Sequence, residues 1–447
     1  MSLTRVPGWA ALVATGVAAA AMAARGAWPS LAEVVALGTS TACVAGALRL
    51  PSRRGRIICA GLWIGLLGAL APRAPLAHWG AEFRTFYDGA DLLFGRGASP
   101  YAAPGTSAFP FPTFLLVRAL SLGGALSVER ATWVFVALQI ALLATALGLL
   151  RRVDRAEAGP GASDRARELL QAGLLLHPAI VAVVVVGQSV VVAGVAAACA
   201  VWCWRCGKGR LTIHAAALCL NLAWMVKPQL AVAGAFFLLH WLLERRPGGG
   251  PPTRASAIGR LLVPWAVLLL AVSLPIAYPA YLLAYLEFPR VAAAWHTQVA
   301  EAYPYNYALP AVVAKALQRA MAVPVGRSLP VLTAGLAAAV ALWNFLSLLS
   351  ARRDSLSAFL PWLLASLLWT SLVWEYYLGL VLAALVLLPS VSGAVRRPIA
   401  STLRFGAALG LTLVVSSFAL TLGLLLLYIE SHAVLAHERR GPAPAGA

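Results

Sequence analysis

Acidic side chains are scarce in this chain, 16 Asp and Glu in 447 residues, and all charged residues together make up 11%. A soluble domain carries roughly 25% charged residues, so a water-soluble fold of this length has too few charges to cover its surface. Hydrophobic residues reach 61% and come in long blocks. Segments of alternating polarity, the mark of a transmembrane β-barrel, are missing; Val181–Val186 and Leu424–Leu427 are continuously apolar. The class that remains is an all-α polytopic membrane protein, in which each span satisfies its own backbone hydrogen bonds.

Other absences narrow the chemistry. The sequence has no Ser/His/Asp set, Walker loop, HExxH motif or heme site, and its metal-ligating residues are not clustered, so no metal and no cofactor are expected. The six cysteines lie in or beside apolar runs. Cys203-x-x-Cys206 has no second pair, and small apolar filler is the simplest reading. The net charge of +19 does not imply nucleic acid, because the Arg and Lys residues sit in short loops between apolar blocks, where they orient the chain and meet anionic headgroups.

A span needs about 20 apolar residues. The blocks are 9–24, 31–50, 57–72, 131–150, 168–186, 188–204, 211–226, 229–243, 261–286, 329–350, 356–373, 376–394 and 403–428. Allowing for the short ones, about 11–13 spans are expected, with 113–127 as a further span or a re-entrant piece. Arg5 followed by an apolar run and Ala21-Met22-Ala23-Ala24 resembles a signal peptide, but the spans that follow favour an uncleaved first helix. Placing the N-terminus inside puts most basic loops inside: Arg53, Arg54 and Arg56, Arg151 to Arg167, Arg205 to Arg210, Arg245 to Arg260, Arg352 and Arg353, and Arg396 to Arg404. The inside loops 151–167 and 244–260 read as solvated connectors. The chain then divides into N-terminal spans 1–72, a first outer loop 73–130, a core 131–428 with a second outer loop 287–328, and a disordered tail 429–447.

Three of the few acids, Glu82, Asp88 and Asp91, fall in the first outer loop within Glu82-Phe83-Arg84-Thr85-Phe86-Tyr87-Asp88 and its continuation. This stretch is drawn as an interfacial helix with Arg84, Asp88 and Asp91 near one face. It either poises a carboxylate to take a proton from a hydroxyl or simply lies solvated at the membrane surface. Gly95-x-Gly97-x-x-Pro100-Tyr101 reads as a turn, and Phe109-Pro110-Phe111-Pro112 as an extended entry to the next helix. Gly187-Gln188 breaks two apolar blocks, and Gln188 there serves as helix glue or as a substrate contact. Lys227-Pro228 interrupts another apolar run; Lys227 either snorkels or holds a phosphate. The second outer loop carries Arg290, Trp295-His296, Glu301 and Tyr303-Pro304-Tyr305-Asn306-Tyr307, suited to sugar stacking and phosphate contact or to an interfacial belt. Trp374-Glu375-Tyr376-Tyr377 ends a span on the same side.

Taken in order, Glu82-Phe83-x-x-Phe86-Tyr87, Gly97-x-x-Pro100-Tyr101, Phe109-x-Phe111-Pro112, His177-Pro178 with Gly187-Gln188, Lys227-Pro228, and Trp374-Glu375-Tyr376 resemble glycosyltransferase family 87, polyprenyl-phosphate-sugar-dependent enzymes of the GT-C superfamily. The resemblance runs from about Glu82 to Leu388. It implies a GT-C-like fold with interfacial helices in the outer loops, placed in a bacterial plasma membrane. It also implies inverting transfer of a mannose-like hexose from a polyprenyl phosphate to the hydroxyl of a lipid or glycan acceptor at the outer face. Such chemistry needs a general base and groups that stabilise the departing phosphate. The resemblance places the base at Glu82, where the family usually has Asp, with Asp88 as the fallback. It places donor-phosphate contacts at Lys227, Arg84, Arg290 and His296, and substrate contacts at Tyr87, Tyr101, Gln188, Asn306, Trp374 and Glu375. Where the family often has His after the Trp-acid pair, this chain has Tyr376 and Tyr377. A transporter or lipid flippase is the alternative, although it would more often bury acids within its spans.

Overall fold

The structure, a computed structural model, describes residues 31–71, 78–102, 112–158, 165–207, 210–243, 258–260, 262–264, 287–288, 290–292, 294–295, 298–299, 308–349, 356–370, 375–394, 399–413 and 417–438. Every regular element among these is helical. In chain order they are α1 (Leu31–Arg49), α2 (Arg53–Leu70), α3 (Ala81–Ala90), α4 (Pro112–Leu120), α5 (Val128–Ala158), α6 (Arg165–Gly173), α7 (Pro178–Val186), α8 (Val190–Cys206), α9 (Arg210–Val226) and α10 (Ala231–Leu243). Then follow α11 (Leu309–Met321), α12 (Val325–Leu349), α13 (Leu356–Leu368), a 3-10 helix Glu375–Val381, α14 (Leu382–Ala394), α15 (Ile399–Leu411) and α16 (Ser417–Glu438).

Among the described residues three helices are long and apolar enough to cross a membrane, Val128–Glu157, Val325–Leu349 and Ala419–Ala436, and a fourth span forms if Arg165–Leu176 and Pro178–Val186 are taken as one bent pair. Shorter apolar helices such as Val190–Cys206, Leu211–Val226 and Leu356–Leu368 pack among them. The first expected span, 9–24, the segment 261–286 apart from its first few residues, and most of 244–260 lie outside the described residues.

Four expectations are corrected. The block 403–428 is two helices, α15 and α16, broken after Leu411. The block 168–186 bends by 41° between Leu176 and Pro178. Pro178 lacks an N–H and pushes His177 out of helical geometry (ψ 130°). The His177 ring compensates: Nδ1 accepts from the Ala179 N–H at 3.2 Å, so Nε2 carries the proton and donates to the Thr412 hydroxyl at 3.0 Å. The two breaks therefore meet and satisfy each other. The third correction concerns 151–167: α5 stays helical to Ala158 and α6 starts at Arg165. Ion pairs hold this end, Arg155 to Glu168 at 2.8 Å and Arg167 to Asp154 at 3.7 Å, and Gln171 donates to Asp154 at 3.0 Å. Likewise α16 runs to Glu438, so residues 429–438 of the tail expected to be disordered are helical, and 439–447 lie outside the described residues. The segment 113–127 holds only α4 and a 3-10 turn; nine helical residues rise about 13 Å, too little to cross.

Small residues set the closest approach in the core. α8 packs on the 3-10 helix Glu375–Val381, on α5 and on α9. Gly194 of α8 lies directly against the Gly379 carbonyl, leaving no room for a side chain. Lipid is as apolar as these helices, so close packing rather than water exclusion holds them. Gly194→Val is expected to destabilise the protein by roughly 1–3 kcal/mol through overpacking, seen as a lower melting temperature in nanodiscs; an unchanged melting temperature would contradict this packing.

Candidate functional site

The segment expected as the first outer loop folds over the start of the α7–α8 turn. Gly80, in the left-handed region at φ +64°, turns the chain into α3, and its N–H donates to the Val185 carbonyl at 2.9 Å. Gly187, also left-handed at φ +72°, caps α7. A Cβ on Gly187 would lie 2.8 Å from the Phe83 Cβ. Both its backbone conformation and its contact with α3 therefore require glycine. Gly187→Ala is expected to cost roughly 2–4 kcal/mol, the sum of left-handed strain and overpacking. Because it pushes α3 away, it should also lower any activity of this site more than Gly194→Val does.

The faces of α3 explain its role. Phe83 and Phe86 are buried and pack with Phe114 of α4 and Phe135 of α5; the Phe83 and Phe135 rings stand 5.1 Å apart. The Tyr87 hydroxyl donates to the Leu126 carbonyl at 2.9 Å, which pins the helix to the chain ahead of α5. Trp79 and Trp133, both exposed, lie 4.7 Å apart, as aromatic residues do at a membrane interface. With the apolar face locked down, Glu82 is left half-buried at the first turn.

Lys227 sits in the turn between α9 and α10, 1% exposed. Burial lowers its pKa to about 8, and the charge of the Glu82 carboxylate works against that fall. Its Nζ stands 5.0 Å from the centroid of the Tyr377 ring. The Glu82 carboxylate also acts electrostatically on Tyr377. Three segments far apart in the chain thus bring a carboxylate, an ammonium and a phenol together beneath the first outer loop. Beside them Gln188 is fully buried. Its Oε1 accepts from the Ser189 N–H at 2.8 Å, while its Nε2 has no hydrogen-bond partner among the described residues.

Comparison with models of known families, with curated proteins and with solved structures returns no match for this chain.

The remaining sequence candidates divide. Arg84 points outward to Glu129 at 3.5 Å, both well exposed. Asp88 is exposed at the far end of α3; partial burial raises its pKa, Asp91 adds to this and Arg84 opposes it. Asp91 pairs with Arg96 at 3.2 Å. Arg84, Asp88 and Asp91 thus share a solvent face, apart from the Glu82 and Lys227 couple. Tyr101 packs its ring 6.1 Å from both Phe114 and Phe288, and Ser99 lies 3.4 Å from the Glu287 carboxylate, so the two outer loops touch. Arg290 is exposed. Glu375 opens the 3-10 helix Glu375–Val381. His296, Asn306 and Trp374 lie outside the described residues. No group of three or more His, Cys, Asp or Glu among the described residues is arranged to hold a metal.

Sequence reasoning did not assign a role to Tyr377, Gly80 or Phe83. Tyr377 had a signal, its place two residues after Glu375. Phe83 had its place in the Glu82-Phe83-x-x-Phe86-Tyr87 motif, and Gly80 had none beyond closeness to Glu82.

Proposed function

We propose that this chain is a membrane glycosyltransferase of GT-C type that moves a mannose-like hexose from a polyprenyl phosphate to an acceptor hydroxyl, with inversion, at the outer face of a bacterial plasma membrane. The observation that carries the reading is the buried Lys227 ammonium, set 5.0 Å from the Tyr377 ring and acted on by the Glu82 carboxylate. Glu82 and Lys227 come from separate motifs of the resemblance and supply the two functions the reaction needs.

In this reading Glu82 accepts the proton of the acceptor hydroxyl as its oxygen attacks the anomeric carbon. The bond from that carbon to the phosphate oxygen breaks, and the electron pair leaves with the lipid phosphate. Lys227 neutralises the charge that gathers there, as a fixed cation in a poorly hydrated setting does most effectively. Before donor binds, the carboxylate acts electrostatically on the ammonium. An arriving phosphate competes for Lys227 and frees the carboxylate to act as a base. Tyr377 presents its ring to the ammonium and keeps it oriented by a cation–π contact. Arg84 and Arg290, both exposed, suit the first capture of an anionic headgroup rather than the reacting centre.

The flippase or transporter reading has one observation in its favour: two discontinuous helices, at His177-Pro178 and after Leu411, meet through His177 and Thr412. Purified protein in liposomes separates the readings. Transfer of radiolabelled hexose from a polyprenyl phosphate to added acceptor supports the transferase. Movement of the labelled lipid between leaflets without any transfer supports the alternative and ends the proposal.

A further inference from the structure

Helix α5 carries one buried stripe. Thr132 contacts the start of α3 at Gly80, and Phe135 stands against Phe83. Gln139 comes next on that stripe, one turn deeper toward the opposite end, with the exposed Ile140 beside it on the outer flank. Gln139 is 0% exposed, and neither its Oε1 nor its Nε2 has a hydrogen-bond partner among the described residues. An amide shut away from water with both ends unmatched is strongly disfavoured. Glutamine serves as glue between membrane helices when it bonds across them, and Gln139 makes no such bond among the described residues. The same holds for Nε2 of Gln188, at the turn that abuts Phe83.

We propose that Gln139 is a substrate-binding residue that, with Gln188, takes the hydroxyls of the sugar on the lipid donor. This rests on the transferase reading and names the part of the substrate that these two amides recognise. The chemistry fits a sugar better than a phosphate. An amide offers both donors and acceptors, and vicinal hydroxyls answer both, whereas a phosphate only accepts. Lys227 therefore selects for the anion and Gln139 for the hydroxylated ring.

The test uses the full chain in lipid nanodiscs, with melting temperature as the readout and two probes: a short-chain polyprenyl phosphate, and the same lipid bearing mannose. In the parent protein both are expected to raise the melting temperature, the sugar-bearing lipid further. Gln139→Met, nearly isosteric and apolar, is expected to raise the melting temperature without ligand, because it removes an unmatched amide. It should keep the shift from the bare phosphate and lose the extra shift from the sugar. Gln139→Asn, which keeps a shortened amide, should lose most of the extra shift as well and provides the result if the Met variant does not fold. The proposal is overturned if either variant keeps the full sugar increment. A fall in ligand-free melting temperature in Gln139→Met also overturns it, since that would mean the amide is bonded within the protein. If the parent responds to neither lipid, the transferase reading fails and takes this inference with it. A parent that responds fully, with variants that do likewise, leaves the transferase reading standing and removes the role of Gln139 alone.

Discussion

Replacing Glu82 by Gln is expected to lower hexose transfer by roughly 10²–10⁴-fold, the usual contribution of a general base, while donor binding survives. The substitution keeps the size of the side chain and its place on α3 but removes the capacity to take a proton. It also removes the negative charge facing Lys227, so the bare lipid phosphate should bind the variant as well as or better than it binds the parent. That split between lost turnover and kept affinity is the signature of a base rather than of a packing residue. Asp88→Asn should change transfer less than about threefold, because Asp88 stands exposed beyond Arg84 and groups within bulk solvent contribute little. Radiolabel transfer measured beside lipid binding checks both. Equal loss in the two variants would move the base to the solvent face of α3, and full activity of Glu82→Gln would remove the mechanism.

Lys227→Met should be the second severe change. Loss of a fixed cation at a leaving phosphate costs roughly 10²–10³-fold in turnover, and here donor affinity should fall too. A stability effect accompanies it. The ammonium is buried, and its removal strands the half-buried Glu82 carboxylate, an expected loss of roughly 1–3 kcal/mol after allowance for the carboxylate's partial exposure. The double variant Glu82→Gln with Lys227→Met should recover most of that stability and none of the activity, since no charge is left uncompensated. Additive losses in the double variant would show that the two side chains do not act on each other.

The same lysine makes the site sensitive to pH. Burial holds its pKa at about 8, below the ordinary lysine range. Below that value the ammonium is charged and attracts phosphate; above it the group turns neutral and the attraction is lost. Donor affinity should therefore fall as pH rises through about 8, and a titration of lipid binding from neutral to alkaline pH measures it. Affinity that stays level across that range would mean that Lys227 does not meet the anion.

The membrane class was legible because it is a property of composition. With 11% charged residues and long apolar blocks, the chain is short of charge for a soluble surface, and the described residues include three helices long and apolar enough to cross a membrane. The helical interface segment after Gly80 was legible for a similar local reason: its aromatics and charges fall on separate faces at the spacing of a helix, and α3 is found at Ala81–Ala90. The bend at Pro178 carried a local sign in the proline itself. The break after Leu411 carried none, because a hydropathy window averages over the residues that end a helix; the residue that meets it, His177, lies far away in the chain.

Pairing across the chain belongs to the folded state alone. From the residues alone, Glu82 in its cluster of acids and Lys227 at a break in an apolar run each carried a bland alternative, and only the resemblance put them at one centre. Their mutual influence exists because Gly80 and Gly187 let α3 close down onto the α7–α8 turn, which no local pattern records. In the same way Arg84 and Asp88, next to Glu82 along the backbone, turn to solvent because the buried phenylalanines set the rotation of α3. Identity and order along the chain name the groups capable of chemistry. Burial and charge separation across helices, which depend on packing between distant segments, select the few that work together.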